Sequence, residues 1–181
     1  MRLARSGTGR VGVVFIVRGT KKFLDRVGFP VAEPPASTTV LGDWYANVLF
    51  WRPQVALFVN ATTFLPVLMP LAPAAGVLAR FPGVMADVIH GLGIDPRFVA
   101  AEQEAMCDVA LAKTASRQVL GVMNEFAFMA EHSTSTGQCD PSDLLDLSVW
   151  LANTIVGPLT IDSGYTPLGA LQQLVAAVLP G

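Results

Sequence analysis

"LGDWYANVLFWRPQVALFVNATTFLPVLMP" (Leu41–Pro70) is the stretch on which the fold turns. Read as a strand, its first part puts Trp44, Ala46, Val48 and Phe50 on one face. Tyr45, Asn47, Leu49 and Trp51 fall on the other. Nearly every position is bulky or apolar, the pattern of a strand covered on both sides. Trp44 and Phe50 are therefore assigned to the core. "RPQ" (Arg52–Gln54) reads as a turn, and "VALFVNA" as a strand returning antiparallel to the first. "TTFLPVLMP" supplies a third strand, whose prolines place it at an edge of the sheet.

Outward from this meander the periodicity changes. Upstream, "VVFIV" (Val13–Val17) reads as a buried strand and "TKKFLDRVG" as a short helix closed by Gly28. A Pro-rich connector follows. Downstream, "AAGVLARF" and "PGVMADVIHGLG" read as two helical pieces broken at Pro82. Asp95 and Pro96 open another helix, and "CDVALAKT" alternates loosely enough to rejoin the sheet. "SRQVLGVMNEFAFMAEH" is amphipathic, with Val119, Met123 and Phe126 on one stripe. Asp140 and Pro141, with Asp143 in the first turn, open a helix, and Thr166–Pro167 opens the last. The pattern predicts a single α+β domain over residues 13–181. In it, an antiparallel sheet of about four to five strands packs against C-terminal helices. Residues 1–12, glycine-rich and aperiodic, are expected to form a flexible N-terminal extension.

The 181 residues are 52% hydrophobic and only 14% charged, with a mean hydropathy of +0.50. So little charge implies a large core, an oligomer interface, or both. The charge-free run 53–79 is long enough to cross a bilayer, but Pro66, Pro70 and Pro73 defeat a lipid-exposed helix there. No cleavable leader is read at the start. The expected setting is a cytoplasmic protein without a membrane partner. Seven of the twelve basic groups lie within residues 1–26, beside one acid; the remainder carries five basic and thirteen acidic groups. An acidic body repels phosphate, which argues against nucleic acid as a partner.

Sequence motifs for chemistry are sparse. "GTGRVG" (Gly7–Gly12) matches GxGxxG, yet a strand follows it where the dinucleotide motif needs a helix. The two histidines, His90 and His132, have no partner at metal-ligand spacing, so neither a metal nor a cofactor is predicted. Cys107 and Cys139 read as buried free thiols. What remains is a set of polar residues embedded in apolar runs: Asp43, Asn47, Asn60, Thr62, Arg117, Asn124 and Glu125. A buried polar group left unpaired costs about 1–3 kcal/mol, so each needs a protein partner or a wet cleft. One reading pairs them with each other and with backbone. The other gathers them around a pocket, with Asp43 or Glu125 as general base and Arg117 as anion clamp. In that case Tyr45, Asn47, Trp51, Asn60, Thr62 and Asn124 are the ligand- or partner-binding residues.

"GTKKFLDRVG", the Thr38–Pro73 segment and "SRQVLGVMNEFAF" together resemble, in order and spacing, an uncharacterised bacterial family known only as a domain of unknown function. Its recurring features are a TKK-L start, LGDWYA-x-L, LFVN-x-x-T-L-PV and R-x-V-x-G-x-MN-[DE]-F. The resemblance spans about residues 13–155 and implies no activity. It places Trp44, Tyr45, Asn60, Arg117 and Asn124 at motif positions. Two functions are expected from the sequence. The first is a non-catalytic interaction module, a homo-oligomer or partner-binding component such as half of a toxin–antitoxin pair. The alternative is a small hydrolase or transferase using the carboxylate, Arg and Asn set.

Overall fold

In the computed structural model, which describes residues 2–3, 14–28 and 30–179, the Leu41–Pro70 stretch forms the expected meander. Numbered in chain order after β1 (Arg2–Leu3) and β2 (Val14–Gly19) and before β6 (Asp108–Lys113), β3 (Trp44–Leu49) runs antiparallel to β4 (Val55–Asn60), and β4 to β5 (Pro66–Pro70). Tyr45 lies opposite Val59, and Leu57 opposite Leu68. The sheet order is β1-β6-β2-β3-β4-β5, with β5 at one edge.

The sheet as a whole is mixed, which corrects the antiparallel expectation. β2 (Val14–Gly19) runs parallel to β3, and β6 (Asp108–Lys113) parallel to β2. The cause is visible in chain length. A parallel pair needs a crossover of a dozen residues or more. Helix α1 (Lys21–Val27) and the Pro-rich connector supply one between β2 and β3. Helices α2 (Val77–Gly91) and α3 (Pro96–Ala105) supply the other, between β5 and β6. β1 is only Arg2–Leu3, paired with Asp108–Val109. The rest of the expected N-terminal extension, with the Gly7–Gly12 motif, lies outside the described residues.

Helices cover both faces, as the two-sided apolar pattern of the Trp44–Trp51 stretch predicts. Trp44, Ala46, Val48, Ala56, Phe58, Val67 and Met69 point into a core closed by α1, α2 and α3 and by α6 (Pro167–Val178). Tyr45, Leu49, Leu57, Val59 and Leu68 point into a second core, closed by α4 (Arg117–Ser135) and α5 (Leu144–Ala152). The alternation along Leu41–Pro70 therefore maps onto two separate cores. α5 also covers the β5 edge, where the Leu68 N–H donates to Ser148 Oγ at 2.8 Å. A bare strand edge is a template for aggregation, and this contact blocks it. No helix of the described residues is long and apolar enough to cross a membrane.

Caps follow the sequence closely. Thr20, Asp95, Ser116, Asp143 and Thr166 each accept a backbone N–H at their helix start, and Gly28 closes α1 at φ 67°. Four local readings are corrected. α5 begins at Leu144 with Asp143 as its cap, so Asp140 and Pro141 lie in the turn before it, closed by the Asp143 N–H donating to the Asp140 carbonyl. Pro82 does not break a helix: α2 is continuous from Val77 to Gly91, because Phe81, Met85, Val88 and Ile89 bury one face and outweigh the lost hydrogen bond. Phe50 is not core. It lies just past the end of β3, 55% exposed, with Lys22 Nζ 5.2 Å and Arg26 Cζ 6.0 Å from its ring centroid. Cys107 is exposed at the α3–β6 turn, whereas Cys139 is buried.

Candidate functional site

Asp43, Tyr45 and Asn47 alternate along one face of β3, and each has a protein partner. Arg18, opposite Tyr45 on β2, donates through Nε to Asp43 Oδ2 at 2.6 Å. The Ser116 N–H at the start of α4 donates to the Tyr45 hydroxyl at 3.0 Å. Thr20 Oγ1 donates to Asn47 Oδ1 at 2.8 Å, tying the start of α1 to β3. The same side chains that could line a pocket thus hold α1, β2 and α4 in place.

Asn60 is fully buried at the end of β4 and makes five hydrogen bonds. Its Nδ2 donates to the Leu41 and Asp43 carbonyls. Its Oδ1 accepts from the Thr62 and Thr63 N–H groups and from the Thr63 hydroxyl. The turn that it holds contains Phe64 at φ 58°, a left-handed conformation that a bulky side chain rarely adopts. Asn60 positions a wall rather than facing a ligand.

Glu102 escapes the sequence reading altogether. It is 2% exposed, and its carboxylate accepts the N–H groups of Val40 and Leu41 at 3.0 and 2.8 Å, pinning the lead into β3. Burial pushes its pKa above the ordinary 4.5, with the backbone hydrogen bonds opposing part of the rise. The folded chain then holds this proton to higher pH than the unfolded chain. Glu102's contribution to stability is full below pH 4.5 and declines as pH rises through the folded pKa. The stability advantage of the natural chain over Glu102→Gln should therefore shrink between pH 4 and neutrality, measured by urea unfolding at several pH values. An advantage that grows with pH would refute this. Glu102→Ala, which orphans the buried Leu41 N–H, should cost about 2 kcal/mol at pH 4 and less as pH rises toward neutrality.

The remaining candidates lie apart. Arg117, Asn124 and Glu125 are exposed along the outer side of α4 and make no side-chain hydrogen bond or ion pair with another described residue. They do not join Asp43 or Asn60 in a pocket. Thr62 and Trp51 do line clefts, at opposite ends of the β3–β4 hairpin. Trp51 belongs to a cleft of about 530 Å³ beside the hairpin turn. Thr62 belongs to one of about 470 Å³, formed by the Ala61–Phe64 turn, the first turn of α4, the α5–α6 connection and the middle of α6. Both are within the size range of ligand clefts.

The Thr62 cleft has an unusual polarity. Thr62, Gln118, Thr160 and Gln173 all line it, carry no charge, and make no side-chain hydrogen bond to another described residue. Its walls are held rigidly. Asn60 fixes one, and the other packs on α6 so closely that a Cβ on Gly169 would lie 1.9 Å from the Ser163 carbonyl oxygen. The α5–α6 connection also presents Ile155 (75% exposed), Ile161 (73%) and Tyr165 (41%), the last at φ 59°. Gln118, Thr160, Gln173 and the two isoleucines were missed by sequence reasoning. Only the Ile, Leu and Val residues of the α5–α6 connector, where Asp162 is the single charge, could have pointed to this region.

The fold and this cleft define a three-layer domain, helices over both faces of a mixed sheet, with a neutral cleft beside a connection that exposes Ile155, Ile161 and Tyr165. The chain belongs to the family described as Domain of unknown function (DUF6933), whose model matches residues 16–166. No curated protein and no solved structure matches it.

Proposed function

We propose that the chain is a non-catalytic interaction module that docks an uncharged, apolar segment of a protein partner on the Thr62 cleft. The observation that carries this reading is a cleft in which unengaged neutral groups meet apolar Pro158, Leu159 and Leu174, beside a connection that exposes Ile161 next to the lining residue Thr160. Carboxamides and hydroxyls match the N–H and C=O groups of a peptide backbone, and the apolar lining matches its side chains. The segment can come from another chain or from a second copy of this one. A hydrolase or transferase built on Asp43, Arg117, Asn124 and Glu125 draws no comparable support, because Asp43 is held by Arg18 and the others face solvent.

The test is selection of binders from a random peptide library, with sedimentation velocity run alongside. Selected peptides should be poor in charge and rich in Leu, Ile, Val or aromatic residues. Ile161→Asp and the pair Gln118→Ala with Gln173→Ala should each weaken them at least ~tenfold, the equivalent of about 1.4 kcal/mol. Self-association lost in Ile161→Asp would identify the partner as a second copy. Binders indifferent to all three changes would overturn the proposal.

A further inference from the structure

The second cleft, at the hairpin turn, has a different chemistry. Trp51, Pro53, Val55, Pro70, Pro141 and Leu144 make it mainly apolar. Its hydroxyls are engaged locally. Thr134 donates to the Ala130 and Glu131 carbonyls, Ser135 to the His132 carbonyl, and Ser142 to Asp140. Two charged lining residues remain, Arg52 and Glu131. Both are exposed, neither forms an ion pair or a side-chain hydrogen bond with another described residue, and they are not paired with each other. One cation and one anion thus flank an apolar, Trp-walled space.

We propose that this cleft binds an α-amino acid with a large apolar side chain. Arg52 takes the carboxylate, for which its planar fork is suited, and Glu131 takes the ammonium group. Trp51 and the surrounding Pro, Val and Leu side chains cover the apolar body, Trp51 offering a flat face to an aromatic ring. The assignment rests on charge complementarity. A plain hydrocarbon leaves both charges unanswered, while a simple amine or a simple carboxylate answers one and is repelled by the other. It is independent of the Thr62 cleft, which lies at the other end of the hairpin.

The probe is L-phenylalanine titrated into the full chain, followed by saturation-transfer NMR on the ligand. Phenethylamine, which lacks the carboxylate, and 3-phenylpropionate, which lacks the ammonium group, serve as comparisons. L-phenylalanine should bind saturably and at least ~tenfold more tightly than either analogue. Arg52→Ala should weaken L-phenylalanine ~tenfold but not phenethylamine; Glu131→Gln should weaken L-phenylalanine ~tenfold but not 3-phenylpropionate. Both changes are at exposed positions, so circular dichroism should show an unchanged fold. Gln118→Ala should leave the binding as it is. Absence of a saturable signal for L-phenylalanine, analogues that bind equally well, or binding indifferent to Arg52→Ala and Glu131→Gln would each overturn the proposal.

Discussion

Asn60→Ala is expected to lower the free energy of unfolding by about 3 kcal/mol. The lost side chain holds both the lead into β3 and the turn after β4. Its removal leaves the Leu41 carbonyl and the Thr63 N–H without partners in a site that water does not reach. Asn60→Asp separates the two halves of the network. A carboxyl group can still accept from Thr62 and Thr63, but its second oxygen meets the Leu41 and Asp43 carbonyls where a donor had been. Both variants should therefore unfold at lower urea concentration. A loss under about 1 kcal/mol for Asn60→Ala would mean that the turn holds itself.

Phe81→Ala should have the largest effect of any single truncation, about 4 kcal/mol. Phe81 stacks on Phe58 at 4.1 Å between ring centroids, meets Trp44 edge-on at 5.0 Å and faces Phe15 at 6.1 Å. One α2 side chain thus joins β2, β3 and β4, the three strands at the middle of the sheet. Aromatic pairs of this kind add about 0.5–1.5 kcal/mol beyond their buried area. Phe81→Leu, which keeps most of the volume, should be distinctly milder. Equal losses for Leu and Ala would show that ring geometry, rather than filled space, holds the strands.

The positions of these two residues show what the sequence made legible. Near-continuous apolar character through Leu41–Pro70, interrupted by turn residues, identified the meander and a strand covered on both sides, because side-chain direction in a strand has period two. Local rules also placed the helix starts at Thr20, Asp95, Ser116 and Thr166. Strand direction across the sheet was not legible: whether β2 pairs with β3 or elsewhere depends on where crossovers dock, which no local pattern encodes. Pro82 shows tertiary packing overriding a local breaker signal. Phe50 shows the reverse, an apolar residue that satisfied the alternation but fell beyond the cover of the helices.

The candidate site was legible in part, for a related reason. Of the polar residues embedded in apolar runs, Thr62, Arg117, Asn124 and Glu125 are exposed and their side chains bond no other described residue, whereas Asp43, Asn47 and Asn60 prove to be engaged by named partners, as does Tyr45. Their interactions hold elements together, and sequence spacing cannot separate that role from ligand binding. Glu102 shares a helix stripe with buried Phe98 and Val99, at i+4 and i+3, and that spacing was the signal overlooked. Thr62 and Trp51 do reach clefts, yet the groups beside them, Gln118 and Gln173 or Arg52 and Glu131, come from distant or ordinary-looking surface positions.

The most direct test of the docking face is amide chemical-shift mapping with the strongest peptide from the library selection. Shifts should concentrate at residues 61–64, 118, 158–163 and 170–174, and should vanish in Ile161→Asp. Shifts centred on Asp43, on the Arg117–Glu125 side of α4 or on the Trp51 cleft, with the Thr62 cleft unmoved, would contradict it.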